Sequence, residues 1–399
     1  MGILSPIGNG PDEALAAFRG GRSGIEFIPE WDEIPGLRTR VGGRVRGADE
    51  HEIDRKHRRT MGRVALLAAL ATKSAIADAG LTVEQLQAGR FGIAYASSNG
   101  SSTKMTEYFR HVQAHGLAGM RPFAYLQVMP HTCAINLAIL LGAKGRIIAP
   151  CSACTSGSQS IGYAAEAIQA GAEDVMIAGG AEELDYTDAA VFDILFATSV
   201  KYHDAPSSTP RPFDRDRDGL VVAEGAGTLV LEEYEHARAR GARIWAEILG
   251  FATNCDGRDV TNPSPDGMAA AMRLGLDDAG LSPGDIQYIN AHATATEVGD
   301  VAEVAATRAV FGDRVPVSST KSFTGHTLGG CGAIESAFAI WAMHWGCMPP
   351  TLNLDHVDPR CEGIDHVREV REAAFDTVMN NNFAFGGINT SLIFRRLHE

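Results

Sequence analysis

The sequence has little of what marks membrane, secreted or nucleic-acid-binding proteins. Its best apolar runs, Cys133–Ala143 and Ala337–Trp345, are far shorter than the ~20 residues that a membrane-spanning helix needs. The start, Met1–Pro6, lacks the basic and apolar segments of a secretory signal. Positive charge is also scarce, since 35 Lys and Arg stand against 49 Asp and Glu. We therefore expect neither a membrane nor a nucleic acid as partner.

Patterns typical of disulfide frameworks and metal sites are also missing. Seven cysteines, an odd number spread over 399 residues, predict reduced thiols in a cytoplasmic protein. The pair Cys151 and Cys154 has no second pair at the spacing of a zinc site, although a redox role for the pair remains an alternative. The stretch from Asp214 resembles the start of a calcium loop, but Gly225 stands where that loop needs a glutamate. We predict no metal site.

What the chain does contain is an alternation of short β-rich stretches with helical segments. These stretches lie beside glycine-bearing turns and are Arg90–Ala96, Gly145–Pro150, Asp174–Ala178, Gln287–Asn290, Val315–Ser318 and Thr377–Met379. The alternation predicts an α/β fold with largely buried sheets. A helix ending in Ala-Gly-Leu at residue 81 recurs 200 residues later, at residue 281. The repeat indicates either a duplicated half or a chance similarity of helix ends.

A candidate nucleophile follows one of these strands. Cys154 lies in Cys151–Ser158, directly before a helix that ends at Gly171. Free N–H groups and the helix dipole at such a position favour a thiolate and can also hold an oxyanion. Gly157 would let a neighbouring backbone approach closely. From composition alone, a cysteine that only packs in the core is the stronger alternative.

Three more loops after predicted strands carry reactive or aromatic side chains. His292 follows one strand, and Lys321 and His326 lie in a Gly/Ser/Thr loop that opens an apolar helix. Sites in α/β proteins gather at strand ends, although a single loop histidine is usually only solvated. Phe383 and Phe385 stand beside a Gly-Gly pair, which indicates either a mobile loop at a site or a plain turn before the last strand.

Together these segments resemble the elongating β-ketoacyl-acyl-carrier-protein synthases of the thiolase superfamily over nearly the whole chain. The matching motifs run in order through both halves: Ala153–Gly157, Val175–Glu182, Pro212–Gly219, Asn290–His292, Thr320–His326 and Phe385–Gly387. The resemblance implies a thiolase fold, with duplicated α-β-α-β-α halves and two mixed five-stranded sheets. It places the nucleophile in residues 1–240 and the two histidines and the lysine in residues 241–399.

The resemblance also implies a decarboxylative Claisen condensation that extends a fatty-acid chain. Cys154 would take the acyl group, His292 and His326 would assist decarboxylation of malonyl-carrier protein, and Lys321 would set the charge around His326. The remaining implied roles are an oxyanion hole from the N–H groups of Cys154 and Phe385, a gate from Phe383 and Phe385, pantetheine binding by Thr294 and Thr296, and a supporting role for Glu335. No cofactor is implied, because the substrates travel on the phosphopantetheine of the carrier protein.

A dense basic cluster suggests where that carrier would bind. Asp54–Arg59 contains Arg55, Lys56 and Arg59, and the resemblance places them at the carrier-protein docking site. Cations on an acidic enzyme would steer an acidic partner, although a plain solvated helix start explains the cluster too. The resemblance further predicts a homodimer, or a heterodimer with a related subunit.

The chain departs from the family pattern in three places. His292 is followed by Ala-Thr-Ala-Thr instead of Gly-Thr-Ser-Thr, and Ala384 replaces a glycine between the two phenylalanines, where we expect it to restrict the backbone. The family's first strand, which normally precedes the position of Gly2, is expected to be absent. These departures keep open a ketosynthase of a polyketide or aryl-polyene pathway. A non-catalytic chain-length subunit is a further alternative, but such subunits lack the nucleophile that Cys154 would provide.

Overall fold

A computed structural model describes residues 1–398, and its first half contains a five-stranded sheet. The strands of this half are β1 (Gly2–Leu4), β2 (Ile25–Phe27), β3 (Val41–Gly43), β4 (Phe91–Ala96), β5 (Ile147–Ile148), β6 (Val175–Glu182) and β7 (Gly225–Glu232). Its helices are α1 (Pro11–Gly20), α2 (Arg55–Arg58), α3 (Arg63–Asp78), α4 (Val83–Ala88), α5 (Ser102–His115), α6 (Ala124–Val128), α7 (Thr132–Leu141), α8 (Ser156–Gln169) and α9 (Tyr186–Asp193). The sheet has the order β1-β7-β6-β4-β5, and β2 and β3 form a separate ribbon.

The second half repeats this plan with one more strand. Its helices are α10 (Tyr234–Ala239), α11 (Pro265–Ala279), α12 (Glu297–Phe311), α13 (Lys321–Thr324) and α14 (Cys331–Trp345). Its strands are β8 (Glu247–Cys255), β9 (Tyr288–Asn290), β10 (Pro316–Ser318), β11 (Cys347–Met348), β12 (Asp365–His366), β13 (Arg371–Glu372), β14 (Thr377–Phe383) and β15 (Ile388–Arg395). The sheet order is β12-β10-β9-β14-β15-β8, and β11 pairs with β13 apart from it.

The sheets contain two short strands that the sequence prediction did not identify. The second sheet has six strands instead of the five predicted, because the two-residue strand β12 extends its edge beside β10. At the edge of the first sheet, the three-residue strand Gly2–Leu4 pairs antiparallel with β7. Three residues give too short an alternation of apolar and polar positions to identify a strand without its partner.

The helices form layers outside and between the two sheets. Helix α3 packs on β1, β7 and β6 from outside, and α11 packs on β8 and β15 on the far side. Between the sheets, α8 contacts β6 and β15, and α14 contacts β7 and β14. Residues Cys331–Met343 of α14 are all buried, as expected of a helix that is apolar around its whole circumference. The layered thiolase-type arrangement is thereby confirmed.

The repeat in the sequence corresponds to a repeat in the structure. Helices α3 and α11 are followed by Gly80 and Gly280, both with φ of 64°, where glycine ends a helix without strain. Each glycine leads through a short helical turn into a parallel strand of its sheet, β4 or β9. Within residues 1–398, no helix combines the length and the apolar character that crossing a bilayer requires.

Candidate active site

The predicted nucleophile lies on a tight turn between strand β5 and helix α8. Cys154 is in the 3₁₀ turn Ala153–Thr155, and its side chain is 2% exposed. Ala153 has a φ of 49°, a conformation that costs energy for a residue other than glycine and is common beside active sites. A Cβ on Gly157 would lie 2.8 Å from the carbonyl oxygen of Gly329, which confirms the predicted close approach of backbones. No pattern in the sequence indicates the strain at Ala153.

Both predicted histidines lie next to this cysteine. Nε2 of His326 is 3.0 Å from Sγ of Cys154, and the ring centroids of His292 and His326 are 5.1 Å apart. The sulfur and one nitrogen of each ring lie within 4.8 Å of one another. Two ligands of a tetrahedral zinc ion would lie about 3.5 Å apart. The 3.0 Å between Nε2 of His326 and Sγ of Cys154 therefore fits a hydrogen bond better than a metal site.

Burial controls the protonation of the three groups. It raises the pKa of the Cys154 thiol to about 12, although Lys321 and the backbone N–H groups of Phe385 and Cys154 lower it. Burial, followed by the charge of Lys321, holds the pKa of His292 and of His326 well below the usual value. These shifts favour a thiol and two neutral imidazoles in the site. Burial of the sulfur thus opposes the thiolate that the helix position favours.

Lys321 provides the positive charge of the site and is itself paired. Its Nζ lies 2.5 Å from Oε1 of Glu335, and the two side chains are 1% and 2% exposed. Burial lowers the pKa of Lys321, but the charges of Glu335, Cys331 and Glu303, together with a hydrogen bond to Glu335, raise it above its usual value. The supporting position implied for Glu335 thus corresponds to a direct contact, and α13 and α14 hold the pair together.

A buried glutamate missed by the sequence prediction positions the loop of His292. Glu303 in α12 accepts hydrogen bonds from the N–H groups of His292 at 2.8 Å and Ala293 at 2.6 Å. Burial raises the pKa of Glu303 to about 7. In the same loop, the hydroxyl oxygens of Thr294 and Thr296 lie 3.1 Å apart. A glutamate in the middle of an amphipathic helix gave no sign that it binds this backbone.

The two phenylalanines of the proposed gate occupy different environments. Phe383 ends β14 and is buried, whereas Phe385 lies in the following turn with its ring 5.6 Å from that of Phe192. Ala384 has no positive φ; Gly386 and Gly387 do, at 92° and 79°. The positive φ values of this turn thus fall on the two glycines, and Ala384 takes an ordinary backbone conformation.

One cavity of about 530 Å³ contains these groups. Cys154, His292, His326, Phe383, Phe385, Thr294 and Thr296 all line it. Exposed apolar side chains, Phe196 and Val260 among them, line it as well, and so does the exposed cation Lys201. The sequence prediction missed these last three residues, because an isolated lysine or valine in a loop carries no pattern.

The basic cluster is only partly neutralised within the chain. Arg58 pairs with Glu50 and Arg63 with Glu224. The exposed side chains of Arg55, Lys56 and Arg59 form no ion pair with any of residues 1–398. The guanidinium of Arg59 instead lies 5.0 Å from the ring centroid of Phe123. These three cations remain available to an acidic partner.

Comparison with known proteins agrees with this site. Residues 1–237 match the beta-ketoacyl synthase N-terminal domain and residues 245–355 the C-terminal domain. The chain is 40% identical over 399 residues to 3-oxoacyl-acyl-carrier-protein synthase 1 of Haemophilus influenzae, covering 99% of this chain and 97% of the relative. A beta-ketoacyl synthase from Burkholderia phymatum has a TM-score of 0.97 at 49% identity, with 100% and 98% coverage. The ishigamide ketosynthase/chain length factor gives 0.91 at 32% identity, with the same coverage. The chain therefore belongs to the beta-ketoacyl synthase family.

Proposed function

We propose that this chain condenses a Cys154-bound acyl group with malonyl-acyl-carrier protein, releasing CO₂ and giving a 3-oxoacyl-carrier protein, in fatty-acid elongation. The observation that carries the proposal is the hydrogen-bond distance of 3.0 Å between His326 and the sulfur, with His292 beside both. The family membership and the similarity to 3-oxoacyl-acyl-carrier-protein synthase 1 support the same reaction.

In the first step, Cys154 takes the acyl group from its carrier. Neutral His326 accepts the thiol proton while Sγ attacks the thioester carbon. The bond from that carbon to the carrier sulfur breaks, and the proton passes to the leaving thiolate. The N–H groups of Phe385 and Cys154 face the sulfur and would hold the oxyanion, a contact typically worth about 3 kcal/mol per donor.

In the second step, the malonyl group loses its carboxylate. The carbon–carbon bond breaks, CO₂ leaves and the electron pair forms an enolate on the thioester. Neutral His292 and His326 can each donate an N–H to that enolate, and the low pKa of both rings keeps them neutral. The enolate carbon then attacks the acyl carbon and releases the Cys154 thiolate, which takes up a proton from solvent.

The other side chains of the cavity would bind and admit the substrate. Thr294 and Thr296 present hydroxyl groups to the cavity for the polar pantetheine arm. Phe385 is only partly buried, beside the half-buried ring of Phe192, and would move to open a path to the sulfur, whereas Phe383 is buried at the end of β14. No cofactor takes part in these steps.

The carrier would dock at the three unpaired cations of the basic cluster. Arg55, Lys56 and Arg59 are exposed, and their charge is opposite to that of an acidic carrier protein. Lys201 adds a further exposed cation among the cavity-lining residues. The name of the relative from Haemophilus influenzae includes the acyl-carrier protein.

A second copy of the chain would cover the edge of the first sheet. Strand β5 is the last strand of that sheet, and Ile147 on it is 41% exposed. An open edge of this kind is usually paired or covered. We therefore propose a homodimer, and Ile147→Lys should convert it to monomer in analytical ultracentrifugation. A related but different subunit is the alternative occupant.

Two further assignments complete the proposal. Residues 1–240 would form the half with the nucleophile and residues 241–399 the half with the histidines and the lysine. A reducing cytoplasmic location suits cysteines that are all free among the described residues.

Mass spectrometry of the intact protein tests the function. After incubation with carrier protein that bears an acyl thioester, the wild-type chain should gain the mass of one acyl group. Cys154→Ala should abolish the gain, and Cys151→Ala, a change at an exposed free thiol nearby, should keep it. Absence of the gain in the wild type, or its persistence in Cys154→Ala, would contradict the proposal.

A polyketide ketosynthase is the second candidate, favoured by the similarity to the ishigamide ketosynthase/chain length factor. Addition of malonyl-carrier protein separates the two functions. A fatty-acid enzyme should stop after one condensation when no reductase is present. Repeated condensation on the same chain would instead identify the polyketide function.

A further inference from the structure

Three consecutive asparagines, Asn380–Asn382, lie in β14 below the active site and are fully buried. Buried amides are costly unless their donors and acceptors are satisfied. Of the three, Asn382 contacts the charged pair of the active site. Neither acyl transfer nor decarboxylation, as proposed for this site, uses its amide.

The amide of Asn382 is oriented by contacts on both of its ends. Its Oδ1 accepts hydrogen bonds from the hydroxyl of Ser158 and, at 3.3 Å, from Nδ2 of Asn380. Its Nδ2 donates to Oε2 of Glu335 at 2.8 Å and lies 3.5 Å from Sγ of Cys331. The oxygen and the nitrogen therefore cannot exchange places without losing these bonds.

These contacts connect the elements that carry the reacting groups. Ser158 lies in the first turn of α8, four residues after Cys154. Glu335 lies in α14, and its other oxygen, Oε1, holds Lys321. One amide thus lies between the helix of the nucleophile and the carboxylate that anchors the lysine.

The charged and titratable groups around Glu335 come from its own helix α14 and from two further elements, α13 and β9. Lys321 of α13 is in direct contact with Glu335 and, with Asn382 of β14, lowers its pKa against the effect of burial. Cys331, one turn earlier in α14, and Tyr288 of β9 are both near enough for the charge of Glu335 to raise their pKa values. Within residues 1–398, Lys321 is the only cation that forms an ion pair with Glu335.

We propose that Asn382 is a positioning residue for the condensation: it fixes the carboxylate of Glu335, and through it the ammonium of Lys321, relative to the helix that carries Cys154. This inference rests on the function proposed above. The positive charge of Lys321 lowers the pKa of His292, of His326 and of the Cys154 thiol. Its location therefore affects both half-reactions.

No other side chain of similar size replaces both contacts. An ionised aspartate accepts from Ser158 but has no donor for Glu335, and it places a second negative charge there. An alanine removes both contacts and leaves the buried oxygen Oε2 without this donor. Asn382→Asp and Asn382→Ala therefore test the charge and the hydrogen bond separately.

The test measures malonyl-carrier decarboxylation against pH. Loss of the amide donor makes the carboxylate of Glu335 less stable, so the acidic limb of the profile should move upward by about one pH unit in Asn382→Ala. In Asn382→Asp it should move further, because two carboxylates then compete for one lysine. The control is Asn381→Ala, which removes an equally buried amide of the same strand that bonds Ser391 rather than Glu335.

A second readout needs no turnover. Alkylation of Cys154 by iodoacetamide, followed on its own peptide by mass spectrometry, should shift to higher pH in both Asn382 variants and not in Asn381→Ala. Profiles that fall in height at every pH without moving, as expected for the control, would overturn the inference. If the wild type does not decarboxylate malonyl-carrier protein, the proposed function fails, and the alkylation profiles still decide the role of Asn382.

Discussion

Nε2 of His326 lies 3.0 Å from Sγ of Cys154, although 172 positions separate the two residues in the sequence. His326 follows the short helix α13 in the second half of the chain, and Cys154 precedes α8 in the first. Burial raises the pKa of the thiol and lowers that of the imidazole, so both groups favour their uncharged forms. Their reactivity depends on transfer of a proton between them.

Replacement of the two histidines should separate the half-reactions. His326→Ala removes the proton acceptor of the thiol, and we expect acyl transfer and decarboxylation both to fall by about 100-fold or more. His292→Ala should reduce CO₂ release by a similar factor and acyl-enzyme formation much less. The exposed His236 provides a control, because His236→Ala should change neither rate. Equal loss of both half-reactions in His292→Ala would contradict this division.

Charge reversal in the basic cluster should weaken carrier binding specifically. Lys56→Glu combined with Arg59→Glu should raise KM for carrier-bound acyl groups at low salt, while a small soluble thioester reacts normally. Arg273→Glu with Arg314→Glu makes the same change in net charge on exposed residues of the second half and should have little effect. An unchanged KM in the Lys56→Glu/Arg59→Glu variant would contradict the proposed docking site.

The buried pair of Lys321 and Glu335 should show strong coupling in stability. Lys321→Met leaves the carboxylate of Glu335 without its cation in the interior and should cost about 3–5 kcal/mol of unfolding free energy. The double variant Lys321→Met/Glu335→Gln has no buried charge at this place, so its loss should be smaller than the sum of the single losses. Urea unfolding of the wild type, of Lys321→Met, of Glu335→Gln and of the double variant measures the coupling. A loss of unfolding free energy in the double variant equal to the sum of the two single losses would argue against it.

A second buried carboxyl should make stability depend on pH. Burial raises the pKa of Glu182 from 4.5 to about 7, against hydrogen bonds from Ser97, Ser98 and Gly329. A carboxyl with a raised pKa stabilises the fold below its unfolded value, and this contribution is lost as pH rises through about 7. In Glu182→Gln the amide oxygen can accept from both N–H groups, and its nitrogen can donate to the Ser97 hydroxyl.

The variant should therefore lose the pH dependence. We expect Glu182→Gln to match the wild type near pH 4.5 and to exceed it by about 3 kcal/mol at pH 8.5. The difference includes the effect on Asp188, whose pKa is raised by burial and by the charge of Glu182. Urea midpoints at the two pH values give the comparison. Parallel stability curves for the two proteins would show that Glu182 does not titrate in this range.

The parts of the site that follow strand ends could be predicted from the sequence. Cys154, His292 and His326 each come shortly after a short apolar run and a small-residue turn, which is a local pattern. The fold followed from the same alternation. The motif resemblance added the roles, because no spacing alone shows that His326 reaches the sulfur.

What could not be predicted depends on contacts between distant elements. The strand Gly2–Leu4 is identified only by its pairing with β7, and the sixth strand of the second sheet only by its pairing with β10. Glu303 and Asn382 read as an ordinary helix residue and an ordinary strand residue. The depth at which Cys154 is buried also escaped prediction, because burial is a property of the whole fold.

Helices α8 and α14 lie side by side between the sheets, and each contacts both of them. Helix α8 follows Cys154, and α14 carries Glu335, the partner of Lys321. The elements that carry the reacting groups therefore share a single packed layer. A displacement of one half relative to the other would therefore disrupt this shared layer of helices. Grafting either half onto a foreign counterpart should therefore fail unless both middle helices are transplanted together.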